Sequence, residues 1–443
     1  MSAVTERTGP PGPDDEVVDL CRDLIRQDTS NYGDGSGPGE RKAAEYVAEK
    51  LADVGLDPTL LESQPGRTTV VVRLDGGDPA RSDALLVHGH LDVVPAEAAE
   101  WTHDPFSGEI TEGCLWGRGA IDMKDMDAMI LAVIRDRLRT GRVPARPVVL
   151  CFTADEEAGG ILGSHWVADH HPELFEGCTE GISEVGGFSL TVRDDLRLYL
   201  VETAQKGIEW MRLTVDGTAG HGSMVNHDNA VTDLAEAVAR LGRYEWPLRM
   251  IPTVRSFLDA ASEAYGVALD PEDGEQLVRT LGNVAKMVGA TLRNTATPTM
   301  LKAGYKHNVI PGRAEAMVDG RFLPGHEEEF HATLDEILGP RVRRDVLVSD
   351  IALETEFTGD LVAAMGAALL AEDPAARTVP YCISAGTDAK AFSGLGIRGF
   401  GFSPLRLPPD LDFAGMFHGV DERVPVDGLR FGARVLDRFL DLA

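Results

Sequence analysis

Three short runs of the chain, Thr69–Leu74, Ala84–Val87 and Pro147–Phe152, are apolar almost without a break. A strand with one wet face alternates apolar and polar residues, so an unbroken run predicts a strand covered on both faces. Helices must supply that cover. Apolar residues recur at helical spacing over 14–27 (Val17, Val18, Leu20, Leu24) and over 40–54 (Ala44, Val47, Leu51, Val54). A third helix over about 122–139 separates two of the strands. Buried strands alternating with helices predict an α/β fold, a mostly parallel sheet flanked by helices.

The rhythm changes at Lys206. A strand at Glu209–Val215 precedes a helix at about Asp228–Leu241 and strands near Pro298–Lys302 and Arg313–Arg321. A helix at about Glu327–Leu338 and a strand at Val342–Val348 follow. This β-α-β-β-α-β order predicts a ferredoxin-like α+β domain, with a helical stretch near 255–289 inserted in it. After about Glu354 the first pattern resumes and ends in a helix at about 427–441. The expected organisation is a discontinuous larger domain over 1–205 and 353–443, with a smaller domain inserted over 206–352. At 443 residues the chain is too long for one ordinary core, which agrees with two domains.

Lys and Arg number 42 against 72 Asp and Glu, a formal charge of −30. Such a surface repels nucleic acid and anionic membrane, so neither is an expected partner. No apolar run is long enough to span a bilayer. The N-terminal residues include acidic side chains and no stretch of signal-peptide length, which predicts a cytoplasmic protein. The cysteines (Cys21, Cys114, Cys151, Cys178, Cys382) are scattered and never in a Cys-x-x-Cys pair. They read as reduced thiols, so any bound metal must be held by His, Asp and Glu.

Side chains of that kind gather just past the expected strands, where open α/β sheets bind ligands. In Val87-His-Gly-His-Leu-Asp-Val-Val-Pro95, His90 and Asp92 are two apart. In extended chain both lie on one face, where the carboxylate can hold the imidazole N–H and fix its tautomer. In Trp116-Gly-Arg-Gly-Ala-Ile-Asp-Met-Lys-Asp125, Asp122 stands at a helix start. By itself it reads as an N-cap, with Asp125 and Asp127 as first-turn charges. The adjacent Glu156 and Glu157 of Thr153–Gly160 point in different directions, so one can bind metal while the other faces a substrate as a base. Glu184 in Ile182–Gly187 and His418 in Met416–Pro425 complete the set. The Gly-rich segment Asn31–Glu40 lacks the Lys-Ser/Thr ending of a phosphate-binding loop and reads as plain loop. Each signal alone is what the loops of an acidic protein also show. Together they supply two imidazoles and several carboxylates, donors that zinc accepts.

The motifs HGHLDVVP, GRGAIDMKD, the Glu-Glu after a strand, SEVGG, NVIPG and FHGVDE occur in this order. From about residue 14 to the C-terminus the chain resembles the metallopeptidases that include aminoacylase, acetylornithine deacetylase, succinyl-diaminopimelate desuccinylase and glutamate carboxypeptidase. The resemblance implies two divalent metal ions, zinc or else cobalt or manganese. His90 and Glu184 would hold one, Glu157 and His418 the other, and Asp122 would bridge them. Asp92 would orient His90, and Glu156 would be the general base; His88 falls outside the motif and reads as structural. The inserted domain would be a lid and dimerisation domain. In it, His221 of Ala219-Gly-His-Gly-Ser223 matches a histidine that reaches a neighbouring subunit's site. Asn308 and Arg321 match contacts to a substrate carboxylate, although Arg321 at a strand end also fits a plain ion pair. Gly386 matches a backbone contact to substrate. Two features depart from the pattern: Ala385 stands where relatives often carry Gly, and the stretch near 255–289 enlarges the small domain.

The implied activity is hydrolysis of an amide or peptide bond next to a free carboxylate. The enzyme would be an N-acyl-amino-acid amidohydrolase, or a dipeptidase or carboxypeptidase, using a hydroxide that bridges the metals and Glu156 as base. A desuccinylase acting on a diaminopimelate derivative and a silent metal-binding protein are the alternatives. The expected partners are a small-molecule or dipeptide substrate and a second copy of the chain in a homodimer.

Overall fold

The computed structural model describes residues 12–268, 270, 276 and 278–443, with the side chains of 282–284, 286 and 287 outside the description. The chain divides into two compact units. The larger runs to Glu202 and takes in Thr355–Pro380 and Thr387–Ala443; the smaller is Thr203–Glu354 with Tyr381–Gly386.

In the larger unit six strands lie side by side in the order Thr59–Gln64, Arg67–Leu74, Val148–Thr153, Ala84–His90, Cys178–Ser183, Arg398–Gly401. The last four are mutually parallel, and the first two run antiparallel at the edge. Every residue of Ala84–His90 and Val148–Thr153 is buried, which is why neither run alternates in sequence. Val71, Leu86 and Val149 from the strands pack with Val167, Phe175 and Phe392 from the helical layer. Helices Pro13–Ile25, Lys124–Arg139 and Val426–Leu442 pack on one another. Parallel pairing brings the carboxyl ends of Ala84–His90, Val148–Thr153 and Cys178–Ser183 to one edge of the sheet. His90 pairs with Thr153 there.

The helix after Asp122 differs from its expected form. It begins at Lys124, its cap position is Met123, and no side chain caps it. Asp122 is therefore free of capping duty, and Asp125 and Asp127, in the first turn as expected, are buried.

The smaller unit holds a four-stranded antiparallel sheet in the order Thr295–Ala303, Arg313–Phe322, Gly207–Asp216, Arg343–Asp350. That is the strand order of a ferredoxin-like fold. Helices Ala230–Arg243 and Glu327–Leu338 cover one face, and Leu213, Leu234, Phe322, Phe330 and Leu334 belong to the core between. Burial alternates along Arg313–Phe322, as a half-covered strand requires. Of the expected helical stretch near 255–289, Pro252–Tyr265 is an α-helix, Arg279–Val284 a 3-10 helix and Ala285–Gly289 a short α-helix. Residues 269, 271–275 and 277 of that stretch lie outside the described residues. Among the described residues no helix is long and apolar enough to cross a membrane.

Candidate active site

Three strand ends deliver the first side chains. His90 closes Ala84–His90, Thr153 leads through Ala154 and Asp155 to Glu156 and Glu157, and Glu184 follows Ser183. Asp122 comes from the turn ahead of Lys124–Arg139, and His418 from the loop ahead of Arg423–Pro425. His90 Nε2 lies 3.2 Å from Asp122 Oδ1, 3.5 Å from Glu184 Oε2 and 3.9 Å from Glu156 Oε2. His418 Nε2 lies 3.3 Å from Asp122 Oδ2 and 3.1 Å from Glu157 Oε2. The two oxygens of Asp122 thus face two different imidazoles. The cluster has two halves, each with one imidazole, one carboxylate of its own and one oxygen of Asp122.

Asp155, Val185 and His418 carry φ of 67°, 52° and 56°, left-handed backbone in non-glycine residues. Such residues cost on the order of 1 kcal/mol each and persist where the surroundings over-determine them. Here they precede Glu156, follow Glu184 and include His418 itself, so the turns that aim the cluster are strained.

Asp92 meets His90, but through a different atom from the one its spacing suggested. His90 Nδ1 is 2.9 Å from the Asp92 carbonyl oxygen and 3.6 Å from its carboxylate. An Nδ1–H donated to that carbonyl leaves Nε2 facing the cluster. The Asp92 carboxylate instead accepts the backbone N–H groups of Glu156 (3.0 Å) and Glu157 (3.1 Å) and Nδ2 of Asn31 (2.9 Å). Asn31 also donates to Asp155 Oδ1 at 3.0 Å and accepts from Arg67 at 2.8 Å. The Gly-rich segment is therefore a site support at its first residue, which no local sequence signal marked.

Two further supports went unread. Asp388 accepts hydroxyl hydrogen bonds from Thr153 and from Ser164, the latter at 2.5 Å, and so pins both ends of the segment that carries Glu156 and Glu157. Glu422 accepts the N–H groups of Gly119 (3.1 Å) and Ile121 (2.8 Å) and pairs with Arg118. It ties the turn ahead of Asp122 to the loop of His418. Glu422 is the last residue of the FHGVDE motif and Asp388 stands two residues past Gly386, so both could have been found there. His88 is buried edge-on against Phe392, with its imidazole pushed down to about 3 first by burial, so it stays neutral.

Burial raises the carboxyls of Glu156, Glu157 and Glu184, the last to about 7; the charge of Glu184 adds to the rise at Glu156, and that of Asp122 at Glu157. Asp122 goes the other way, because His418 and His90 outweigh its burial and hold it far down. His418 is pushed up to about 10 by its hydrogen bonds to Asp122 and Glu157. His90 is raised despite burial, by Glu184 and Asp122. The donor set, two imidazoles and carboxylates without thiolate, fits zinc, cobalt or manganese. His90, Glu184 and one Asp122 oxygen can hold one ion, and His418, Glu157 and the other Asp122 oxygen a second. Donor atoms of His90, Glu156 and Glu184 lie within 4.8 Å of one another, as do those of His90, Asp122 and Glu157.

A carboxyl raised on folding stabilises the fold below its unfolded pKa, and that contribution is lost as pH climbs to the folded value. Glu184 and Glu422, both pushed up from 4.5 to about 7 by burial, place this loss between those values. Asp122 stays ionised throughout and adds no slope. Metal-free protein should therefore lose thermal stability from about pH 5 to about pH 7.5 through these carboxyls, with His418, raised from 6.5 to about 10, extending the loss above that, and added divalent metal should restore most at the upper end. Calorimetry with and without chelator reads this directly. A flat metal-free profile would remove carboxylate crowding as the cost of the empty cluster.

The remaining candidates belong to the smaller unit. His221 pairs with Val309 in a two-stranded ribbon, and the Gly222 N–H donates to the Asn308 carbonyl at 2.9 Å, so His221 and Asn308 are neighbours. Both are exposed, and His221 Nδ1 is 2.8 Å from Ser223 Oγ. Arg321 sits in an ion pair with Asp319, two residues back on the same face of its strand, through Nε at 2.7 Å and an Nη at 3.2 Å. Gly386 is the last residue of the smaller unit and is partly exposed.

Residues 86–442 match the sequence model of peptidase family M20/M25/M40. The chain is 28% identical over 370 residues to a probable carboxypeptidase S-like 2 of Dictyostelium discoideum, covering 77% of this chain and 68% of that one. It is 26% identical over 396 residues to aminoacylase-1 of Sus scrofa, covering 87% and 86%. Its fold matches that of an M20 family metallo-carboxypeptidase of Sulfolobus solfataricus with a TM-score of 0.73 at 19% identity, over 97% of this chain and 99% of the other. Another protein of this fold is a dinuclear metal-binding peptidase of the same family. The chain is thus a member of peptidase family M20/M25/M40, hydrolytic metalloenzymes with dinuclear metal sites.

Proposed function

We propose that this protein hydrolyses the amide or peptide bond next to a free carboxylate in small N-acyl amino acids or dipeptides. His90, Asp122, Glu157, Glu184 and His418 hold two zinc ions for this reaction. The observation that carries the reading is the split of Asp122, 3.2 Å from one imidazole and 3.3 Å from the other, with Glu156 left over as an unassigned, partly buried carboxylate. When bound, the metals supply Lewis-acid activation of a water and of the scissile carbonyl.

The residues do the rest. Glu156 takes the proton of the attacking water and delivers it to the departing amine, serving as base and then acid. Asp92 and Asn31 hold the backbone under Glu156, so its carboxylate arrives already oriented. Arg321 grips the substrate carboxylate with two parallel hydrogen bonds, exchanging Asp319 for it, and Lys could not reproduce that fork. Asn308 adds a contact to the same carboxylate, Gly386 a backbone contact, and His221 a hydrogen bond to the developing oxyanion. Residues 206–352 act as lid and dimerisation domain of a cytoplasmic homodimer, with His221 serving the site of the second copy. Support comes from relatives named carboxypeptidase and aminoacylase, whose names span both bond types.

The deciding experiment is a panel of N-acetyl amino acids, dipeptides and an N-succinyl diamino acid, each with and without a carboxyl-blocked analogue. Amine should be released from free-carboxylate substrates only, in a chelator-sensitive way. Equal cleavage of the blocked analogues would sink the carboxylate requirement, and preference for the succinyl compound would select the deacylase alternative.

A further inference from the structure

Within the larger unit a cavity of about 10 Å³ is lined by Asp125, Glu184, Val185, Gly186 and Ser403 together with apolar side chains such as Phe188. Two polar atoms of its lining residues have nothing to bond. Asp125 Oδ1 and Ser403 Oγ are both buried, and neither has a hydrogen-bond partner. Buried polar atoms in native proteins are almost always satisfied, and an orphan calls for a water or an ion. The cavity is at the lower limit that a single water needs, and a water needs two to four polar partners. Glycerol-sized molecules are too large for it. A desolvated metal ion would need more oxygen ligands than these walls offer.

We propose that one internal water occupies this cavity, donating a hydrogen bond to Asp125 Oδ1 and accepting one from the Ser403 hydroxyl. Its position gives it a task. Asp125 lies on the first turn of the helix that follows Asp122. The Ser403 N–H already holds the Gly186 carbonyl at 2.7 Å, just past Glu184 and the left-handed Val185. The water therefore links the segment carrying Asp122 to the turn carrying Glu184, and Asp125 and Ser403 are positioning residues for those two carboxylates. Supports of this kind, one step behind a metal ligand, set its orientation and through it the affinity for metal. The water itself is independent of the proposed reaction; the task assigned to it rests on Asp122 and Glu184 holding metal.

A crystal structure of the unmodified protein at about 1.5 Å resolution tests the first part. One density peak within hydrogen-bond distance of both Asp125 and Ser403 is expected, with and without metal in the site. An empty cavity, or density that refines as a cation, overturns the proposal. Ser403→Ala tests the task. Competition with a fluorescent chelator should show metal binding weakened by about tenfold, and Ser403→Thr, which keeps the hydroxyl, should recover part of it. If the water is present and Ser403→Ala, still folded by its circular dichroism, binds metal as tightly as the unmodified protein, the positioning role is overturned. Should Ser403→Ala not fold, Asp125→Asn takes its place, with a smaller loss expected because the amide oxygen still accepts. A protein that shows the water and the affinity loss but cleaves nothing in the substrate panel would bring down the proposed reaction and leave this inference standing.

Discussion

Glu156→Ala should lower kcat by roughly a hundred- to ten-thousand-fold and leave the metal content at two ions per chain, the span a positioned acid–base group commonly supplies. Glu156 is in the cluster but sits farthest from its imidazole, at 3.9 Å, while Glu157 and Glu184 approach theirs at 3.1 and 3.5 Å. Truncating it leaves the loop in place. The backbone bonds from Glu156 and Glu157 to Asp92 do not involve the lost carboxylate, and Val94 still donates to Glu157 Oε1 at 3.1 Å. Its carboxyl is held well above the ordinary range by burial and by Glu184, so the ionised form is costly in the metal-free chain. Removing it should leave Tm unchanged or raise it. Turnover falling while stability holds is the opposite of what a folding defect produces. Steady-state kinetics beside elemental analysis and a melting curve read all three quantities. Near-normal turnover in this variant would end the base assignment.

The second large effect is at Asp122. Its two oxygens are shared between His90 and His418, so Asp122→Ala takes one donor from each half of the cluster at once. Supports behind a metal ligand already cost about 10–100-fold in affinity or activity when removed, and a shared ligand should cost more. Metal content is expected to fall from two ions per chain to below one, with activity at background. His418→Ala provides the contrast, since His418 touches Asp122 and Glu157 only among the candidate ligands and its loss should empty one half. Elemental analysis after gel filtration distinguishes these outcomes. Two ions per chain retained in Asp122→Ala would mean that the bridge is not a bridge.

What was legible beforehand followed from local chemistry. Unalternating apolar runs announced strands covered on both faces, and Ala84–His90 and Val148–Thr153 are buried at every residue. The change of rhythm at Lys206 announced a second unit, because helix and strand periods are written over a handful of neighbouring residues. The donor types were legible too, since His, Asp and Glu were the ligands on offer in a chain without paired cysteines. The tertiary structure decided which atoms meet. Asp122 looks like a cap and is not one, because the helix starts two residues later and its side chain turns to two histidines from distant parts of the chain. Asn31 carries no local mark, and Asp388 and Glu422 show nothing of their partners in the motifs that hold them, yet each binds segments more than sixty residues apart in sequence to the cluster. Asp125 reads as an ordinary first-turn charge until the helix is seen to be buried from Lys124 to Arg137. The physical reason is range. Spacing along a chain reports which face a residue occupies on its own helix or strand, whereas the partner across the site is set by the order and parallel register of strands, and that order exists only once the whole sheet has packed.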